Sequence, residues 1–430
     1  MRLFSSFVLR RTAVIVAVGG MIALAGAAPA GAEPVSPTQP STTPVTDHCP
    51  YRVSTPPPVD TSETVAPGAK SPTPLPVPVP AVGGERLAGC GIVADPALGP
   101  VPPRLTSAAW LIADLDSGRV IAAKDPHGRY RPASTIKVLL SLVVLDELNL
   151  DAVVTPEPED WDQEGDLCGM GPGGHYTNRD LLTGLLVVSG NDCAHALARQ
   201  LGGVDETLAK MNAKARALHA LDTRAASPAG LDAAGMSISP YDEALIFRAA
   251  MRNSIFREII ALPTHEFPGY PKRPDVPGDK DHPGYLMQTS NQLLLEQYPG
   301  MLGGKTGYTD DAKKTFVGVT ERDGRRILIV QMYGLTITDD NYWDQAKSLF
   351  DYGFRAPRDV SVGQLVDTST PGATTETPTT ATPGPTHAAQ QPATGTDHPT
   401  RWSVRVLIGL VAVLGAVILV LLALRIIRRR

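Results

Sequence analysis

Apolar and polar positions along this chain change their period twice. Residues 110–115 and 119–123 read as two short strands around Asp116-Ser117-Gly118, a hairpin signature. A mostly apolar run at 138–148 then has the length and spacing of a buried helix. Thr177 with Asp180 forms a capping pair before Leu181-Leu182 and Leu185-Leu186, which predicts a second helix. Ser189-Gly190-Asn191 interrupts it, and the helical spacing resumes over 192–201. Further helices are predicted at 205–218, from Ser239-Pro240 to Met251, and at 255–261. Beyond Leu293 the period returns to two, with strands at 303–309, 315–320 and 326–333, the last pair turning at Asp323-Gly324. An amphipathic helix at 341–354 follows. Strands at both ends of a helical block predict an α+β domain. Its antiparallel sheet unites the first hairpin with the late strands, is packed with helices, and encloses a mainly helical middle region.

The ends do not belong to that pattern. Arg2, Arg10 and Arg11 precede an apolar run, and Ala30-Gly31-Ala32 offers a small-x-small cleavage site, so residues 1–32 read as an export signal. Arg10-Arg11 leaves the choice between Sec and twin-arginine export open. Residues 404–424 contain the charge-free aliphatic run from Val406 to Leu424, long enough for one transmembrane helix. Arg425, Arg428, Arg429 and Arg430 make 425–430 a basic cytoplasmic tail and leave everything before the span outside. The protein is expected in the cell membrane, single-pass, with its domain extracytoplasmic.

Composition sharpens the remainder. The 430 residues hold 40 prolines, more than one folded domain uses, and they gather at 33–104 and 361–403. The first segment is expected as an extended proline-rich arm. The second, rich in Thr, Pro and Ala, is expected as a linker that holds the 105–360 domain on the order of 100 Å from the bilayer. A net charge of −5 is mild and argues against nucleic acid as the main partner. Cys49, Cys90, Cys168 and Cys193 are even in number in an exported chain and favour disulfides. Three connectivities are open, and Cys49–Cys90 with Cys168–Cys193 is preferred because each pair lies within one region. His175 and His195 near the second pair admit a zinc reading, although the spacing matches no compact zinc motif.

The chemistry begins at Ser134. With Ser134 opening the apolar helix, Lys137 three positions on shares its face, and the Ser134 N–H is one of the free donors of the first turn. A serine hydroxyl needs a base, and Lys137 serves only if burial and a neighbouring cation lower its pKa; Lys305 can be that cation. Ser189 can relay a proton between Lys137 and a leaving amine. Asn191 can orient Lys137 and bond a substrate amide. Lys305, Thr306 and Gly307 join charge, hydroxyl and close backbone approach, which suits a peptide carboxylate laid along a strand.

In the order Arg131-Pro132-Ala133-Ser134-Thr135-Ile136-Lys137, Val188-Ser189-Gly190-Asn191-Asp192 and Gly303-Gly304-Lys305-Thr306-Gly307-Tyr308-Thr309, the chain resembles the penicillin-recognising serine enzymes. Among them it looks most like the low-molecular-mass D-alanyl-D-alanine carboxypeptidases. The resemblance covers roughly residues 108–354. It implies a β-lactamase/transpeptidase-like fold, catalysis by Ser134, Lys137 and Ser189, and substrate binding by Asn191, Lys305, Thr306, Gly307 and Tyr308. The Tyr308 N–H would complete the oxyanion hole with that of Ser134. It implies no metal or organic cofactor, peptidoglycan stem peptides as substrate, and β-lactams as acylating inhibitors.

Two departures stand out. Related carboxypeptidases often carry an arginine just beyond the late hairpin to hold the substrate carboxylate, and 333–343 contains none. Either Lys305 and Thr306 suffice or another arginine reaches in. No Glu-x-x-Leu-Asn segment lies between Asn191 and Lys305, so the deacylating glutamate of class A β-lactamases has no counterpart. His195 and His265 are left out of the catalytic set. The expected activity is removal of the terminal D-alanine through a Ser134 acyl-enzyme. The alternatives are a D,D-endopeptidase or β-lactamase of the same family and, from another class, a catalytically silent wall-binding protein.

Overall fold

A computed structural model describes residues 44–335 and 341–367. The expected signal at 1–32, the linker beyond 367, the span at 404–424 and the tail at 425–430 lie outside the described residues. Among the described residues no helix is long and apolar enough to cross a membrane.

The chain enters the fold through β1 (Ile92–Ala94), then turns back in the hairpin of β2 (Ala109–Asp114) and β3 (Arg119–Lys124). A single 3-10 turn, Ala133–Ile136, leads into α1 (Lys137–Glu147). The helical middle follows: β4 (Val153–Val154) and the short α2 (Pro158–Trp161), then β5 (Tyr176–Thr177), α3 (Asn178–Val187), α4 (Asn191–Gln200), α5 (Val204–Ala217), α6 (Pro240–Ala250) and α7 (Ser254–Ile260). Its starts are chemically marked. Thr177 accepts from the Asp180 N–H while the Asp180 carboxylate takes the Thr177 N–H, and Ser239 accepts from the Asp242 N–H with Pro240 at the first helical position. A hairpin of β6 (Thr264–Phe267) and β7 (Tyr285–Gln288) and the one-turn α8 (Gln292–Leu295) precede β8 (Met301–Thr309), β9 (Lys313–Arg322) and β10 (Arg325–Gly334). Then come α9 (Tyr342–Arg355) and β11 (Gly363–Gln364).

The sheet runs β1-β3-β2-β10-β9-β8, with β11 also on β3, and every pairing is antiparallel. β2 lies at its centre against β10, so the first hairpin does join the late strands. Period-two alternation sends β2 to both faces. Leu111 and Ala113 enter the core shared with α1, α3 and α6, whereas Trp110 and Ile112 pack under α9 with Ala346, Leu349 and Phe350. β8 is the outer edge, and β8 and β9 also meet the turn that carries Ser134.

Two expected boundaries shift. Residues 33–104 were expected as an extended arm ahead of a domain starting at 105; within the described part from 44, β1 instead pairs with β3 (Ile92↔Lys124, Ala94↔Ala122) and Leu87 is buried in the core. Proline removes N–H donors but leaves carbonyls, and the body meets those carbonyls with buried arginines. The linker expected from 361 begins later. Val362 and Leu365 are buried, and Gly363–Gln364 pairs with β3.

The β6–β7 hairpin was not anticipated from sequence. It spans a stretch with weak alternation, since three of the four β7 residues are exposed. Its packing explains it: Phe267 stacks on Tyr176, and the Tyr285 hydroxyl donates to the Cys168 carbonyl at 3.0 Å.

Candidate active site

Ser134 does not open α1, as the sequence reading had it. It sits in the 3-10 turn just before, and α1 begins at Lys137. The consequence is the same, because residues three apart eclipse in a 3-10 helix: Lys137 Nζ lies 2.7 Å from Ser134 Oγ. The turn is pinned from both sides. Thr135 and Thr315 each donate a hydroxyl to the Pro132 carbonyl, at 2.9 and 2.8 Å. Ala133 takes a positive φ of 48°, and a side chain on Gly230 would collide with its carbonyl.

Around Lys137 the chemistry is set by which neighbours can donate. Asn191 Oδ1 at 2.7 Å and the Ala229 carbonyl at 2.6 Å can only accept. A neutral amine has two N–H groups for those two oxygens, and its lone pair then faces the Ser134 hydroxyl. Lys137 is fully buried, and burial, followed by the charge of Lys305, pushes its pKa well below the ordinary lysine range. The general base is prepared before any substrate arrives.

Ser189 bridges the two lysines: its Oγ is 3.4 Å from Lys137 Nζ and 3.0 Å from Lys305 Nζ. It caps no helix, since Gly190 occupies the α4 cap position without a side-chain bond. Lys305 Nζ also donates to the Thr306 carbonyl at 2.8 Å, and burial lowers its pKa to about 7 against the pull of Asp166 and Glu243. Asn191 is fixed at its other end, where Nδ2 donates to the Glu164 carbonyl at 2.6 Å and the backbone N–H to the Asp166 carbonyl at 2.7 Å. That loop is held in turn by Asp192, whose carboxylate takes the N–H groups of Cys168, Gly169 and Met170.

The structure joins Cys168 to Cys193 beside this loop and Cys49 to Cys90 between the N-terminal segment and β1's approach. The zinc alternative finds no convergence: His175 Nδ1 lies 3.3 Å from Thr155 Oγ1 and His195 Nδ1 2.8 Å from Asp160 Oδ1, while the sulfurs bond each other. Neither His195 nor His265 lines the cleft.

On β8, Gly307 lies against the nucleophile, where an added Cβ would stand 2.7 Å from Ser134 N. Tyr308 follows it on the exposed edge. Thr306 faces the cleft with its hydroxyl 2.6 Å from that of Ser290. The cleft has a volume of about 510 Å³, with Ser134, Ser189, Asn191, Thr306, Gly307 and Tyr308 in its lining. The sequence reading missed Ala229, Gly230, Asp166, Ser290, Lys314 and Tyr342, all of which also border it. Ala229 acts through a carbonyl and leaves no side-chain signal; the positive φ of Gly230 is the trace that sequence could have offered.

A serine with a buried lysine of lowered pKa as its base, set under the edge of an antiparallel sheet, defines an acyl-transferring enzyme of the penicillin-recognising class. Residues 97–336 match the family described as D-alanyl-D-alanine carboxypeptidase, and the chain belongs to that family as a hydrolase. It is similar to the D-alanyl-D-alanine carboxypeptidase DacB2 of Mycobacterium tuberculosis, with 48% identity over 62% of this chain and 89% of that one. The DacD carboxypeptidase of Salmonella typhimurium is 30% identical, over 59% of this chain and 64% of that one. Among solved structures, a Mycobacterium tuberculosis D-alanyl-D-alanine carboxypeptidase has a TM-score of 0.57 at 47% identity, covering 62% of this chain and 97% of its own. A Streptomyces DD-transpeptidase has a TM-score of 0.54 at 26% identity, covering 60% of this chain and all of its own.

Proposed function

We propose that this enzyme removes the terminal D-alanine from peptidoglycan stem peptides ending in D-Ala-D-Ala, on the outer side of a membrane. The observation that carries the reading is the environment of Lys137: buried, bonded to two obligate acceptors, and 2.7 Å from Ser134 Oγ. Ser134 attacks the penultimate carbonyl as Lys137 takes its proton, and the N–H groups of Ser134 and Tyr308 receive the oxyanion. Ser189 then passes the proton from Lys137 to the departing D-alanine, under the field of Lys305. Water repeats the sequence on the acyl-enzyme and frees the shortened stem. Asn191 keeps Lys137 aimed, Gly307 lets the peptide lie against β8, and the Thr306 hydroxyl meets the carboxylate. β-Lactams acylate Ser134 by presenting the same reacting amide.

Residues 44–367 act in this reading as one catalytic body, exported by the signal at 1–32. It is held by the 404–424 span through the preceding linker, with 425–430 in the cytoplasm. The charge-free run and its arginine flanks support that topology. The test uses the full-length chain with labelled penicillin and with a pentapeptide ending in D-Ala-D-Ala. The native protein takes one label and releases D-alanine, and Ser134→Ala does neither, losing about 10⁴-fold or more of the activity. A native protein that takes no label ends this reading.

A further inference from the structure

Lys137 and Lys305 are both buried beneath the cleft, and Lys305 already spends donors on Ser189 and the Thr306 carbonyl. Among the described residues lining the cleft, Lys314 is the one cation. It stands on β9 directly opposite Tyr308, one pleat from Phe316, which lies opposite Thr306. Directly opposed and alternate residues share a face, so Lys314, Thr306 and Tyr308 project to the same side of the β8–β9 pair. Its Nζ lies 5.7 Å from the centroid of the Tyr342 ring, and no carboxylate pairs with it among the described residues. Tyr342 lines the same wall, is 3% exposed, and its buried hydroxyl has no hydrogen-bond partner among the described residues. Among the described residues, an ammonium without a counter-charge and an O–H without an acceptor thus lie together, in the cleft that also holds the hydroxyl pair of Ser290 and Thr306.

We propose that Lys314 grips the terminal carboxylate of the substrate, with Tyr342 beneath it as a positioning residue; the inference rests on the carboxypeptidase reading of this site. The anion that enters the cleft needs a charge it can touch. Lys305 provides a field from below while donating to Ser189 and the Thr306 carbonyl inside the protein, whereas the Lys314 stem is long, half-buried and free to follow the ligand. A carboxylate there accepts from the Lys314 ammonium and from the Thr306 and Ser290 hydroxyls, a set of charge-assisted bonds that an amide-capped peptide end cannot reproduce. The stretch 333–343 carries no arginine, and the neighbouring strand supplies the cation in its place. Lys314 would therefore decide that the enzyme prefers a free peptide end over an internal linkage.

Binding, not turnover, reads this out. A peptide ending in D-Ala-D-Ala is titrated calorimetrically as the free acid and as the C-terminal amide into full-length Ser134→Ala, and into Ser134→Ala combined with Lys314→Gln or Lys314→Arg. The free acid binds about tenfold or more tighter than the amide to the first protein. The preference collapses with Lys314→Gln and survives with Lys314→Arg. Equal binding of acid and amide to Ser134→Ala overturns the proposal, as does an acid preference that Lys314→Gln leaves intact. Failure of the carboxypeptidase reading shows separately, as a native chain that takes no penicillin. Penicillin labelling of the Lys314→Gln single variant at saturation keeps the native stoichiometry, which establishes that its Ser134 site is folded.

Discussion

Beside the nucleophile, Thr135 has two neighbours and one proton. Its hydroxyl can donate to the Pro132 carbonyl at 2.9 Å or to the Glu243 Oε2 atom at 3.1 Å, one at a time. Glu243 is wholly buried on α6, its Oε1 has no partner among the described residues, and burial raises its pKa to about 8. A carboxyl whose folded pKa lies above its unfolded value stabilises most at low pH. That contribution fades as pH rises from about 4.5 through about 8, because the folded state binds the extra proton in this window. Glu243→Gln keeps an oxygen acceptor for the Thr135 hydroxyl without the titration. Urea unfolding at about pH 5 and about pH 8 should therefore show the native enzyme losing stability relative to Glu243→Gln, on the order of a few kcal/mol across that interval. Parallel behaviour of the two proteins would remove the protonated-carboxyl account. Nothing in the sequence singled this residue out. Asp242 and Glu243 in a first helical turn look like ordinary partners of the helix dipole, and only the tertiary packing of α6 against the Ser134 turn buries the second one. Ser134, Lys137, Ser189, Asn191 and Lys305 were legible because three spaced motifs name them, while Ala229 contributes a backbone oxygen and Lys314 looks like any strand lysine.

The elements were legible where one period held over many residues. The predicted helix at 205–218 is α5 at Val204–Ala217, and the predicted strands at 303–309 and 326–333 are β8 and β10 within a residue or two. The N-terminal segment was misjudged because composition reports what a segment can bury by itself and is silent on docking. Arg129 and Arg131 are each 1% exposed and precede the nucleophile in sequence. Arg129 donates to the carbonyls of Val53, Leu75 and Pro76 at 3.0, 2.7 and 2.8 Å, with Asp222 as its counter-charge at 3.2 Å. Arg131 reaches the Pro56 carbonyl at 2.8 Å and bonds the Glu63 carboxylate. A polyproline-like segment, which cannot satisfy its own carbonyls, is thereby fastened to the strand end that leads into the catalytic turn. Arg129→Leu leaves Asp222 buried with His127 and no guanidinium, and should destabilise the protein by roughly 3–5 kcal/mol. It should also open residues 53–76 to limited proteolysis well before the body unfolds. Cleavage there at the native rate, with unchanged thermal stability, would mean that the segment is held by other contacts.

At the level of the whole molecule, the question is whether the catalytic body depends on the membrane that its sequence ends imply. Both ends of the described chain are tied into the sheet region: β1 pairs with β3 on the way in, and β11 pairs with the same strand on the way out. The closing contact is specific, with the Tyr241 hydroxyl donating to the Gln364 carbonyl at 2.8 Å and Leu365 fully buried. A body closed on its own last described strand is expected to fold without the residues after 367. In the proposed topology the linker then serves as reach, roughly 100 Å at full extension, and the proposed span as an anchor. Two measurements separate these roles. A chain ending at residue 403 should move from the membrane to the soluble fraction, yet be acylated by penicillin at a rate within about twofold of the full-length protein, since Ser134 and Lys137 lie on elements the truncation does not touch. Ending the chain instead at residue 360 removes β11 along with the buried Val362 and Leu365, and should cost several kcal/mol of stability by exposing the core they cover, about 2 kcal/mol or more per large side chain. If the 403 truncation stays with the membrane, the anchor reading fails. If it leaves the membrane but loses tenfold in acylation, the body is not the self-sufficient unit that its closing strand implies.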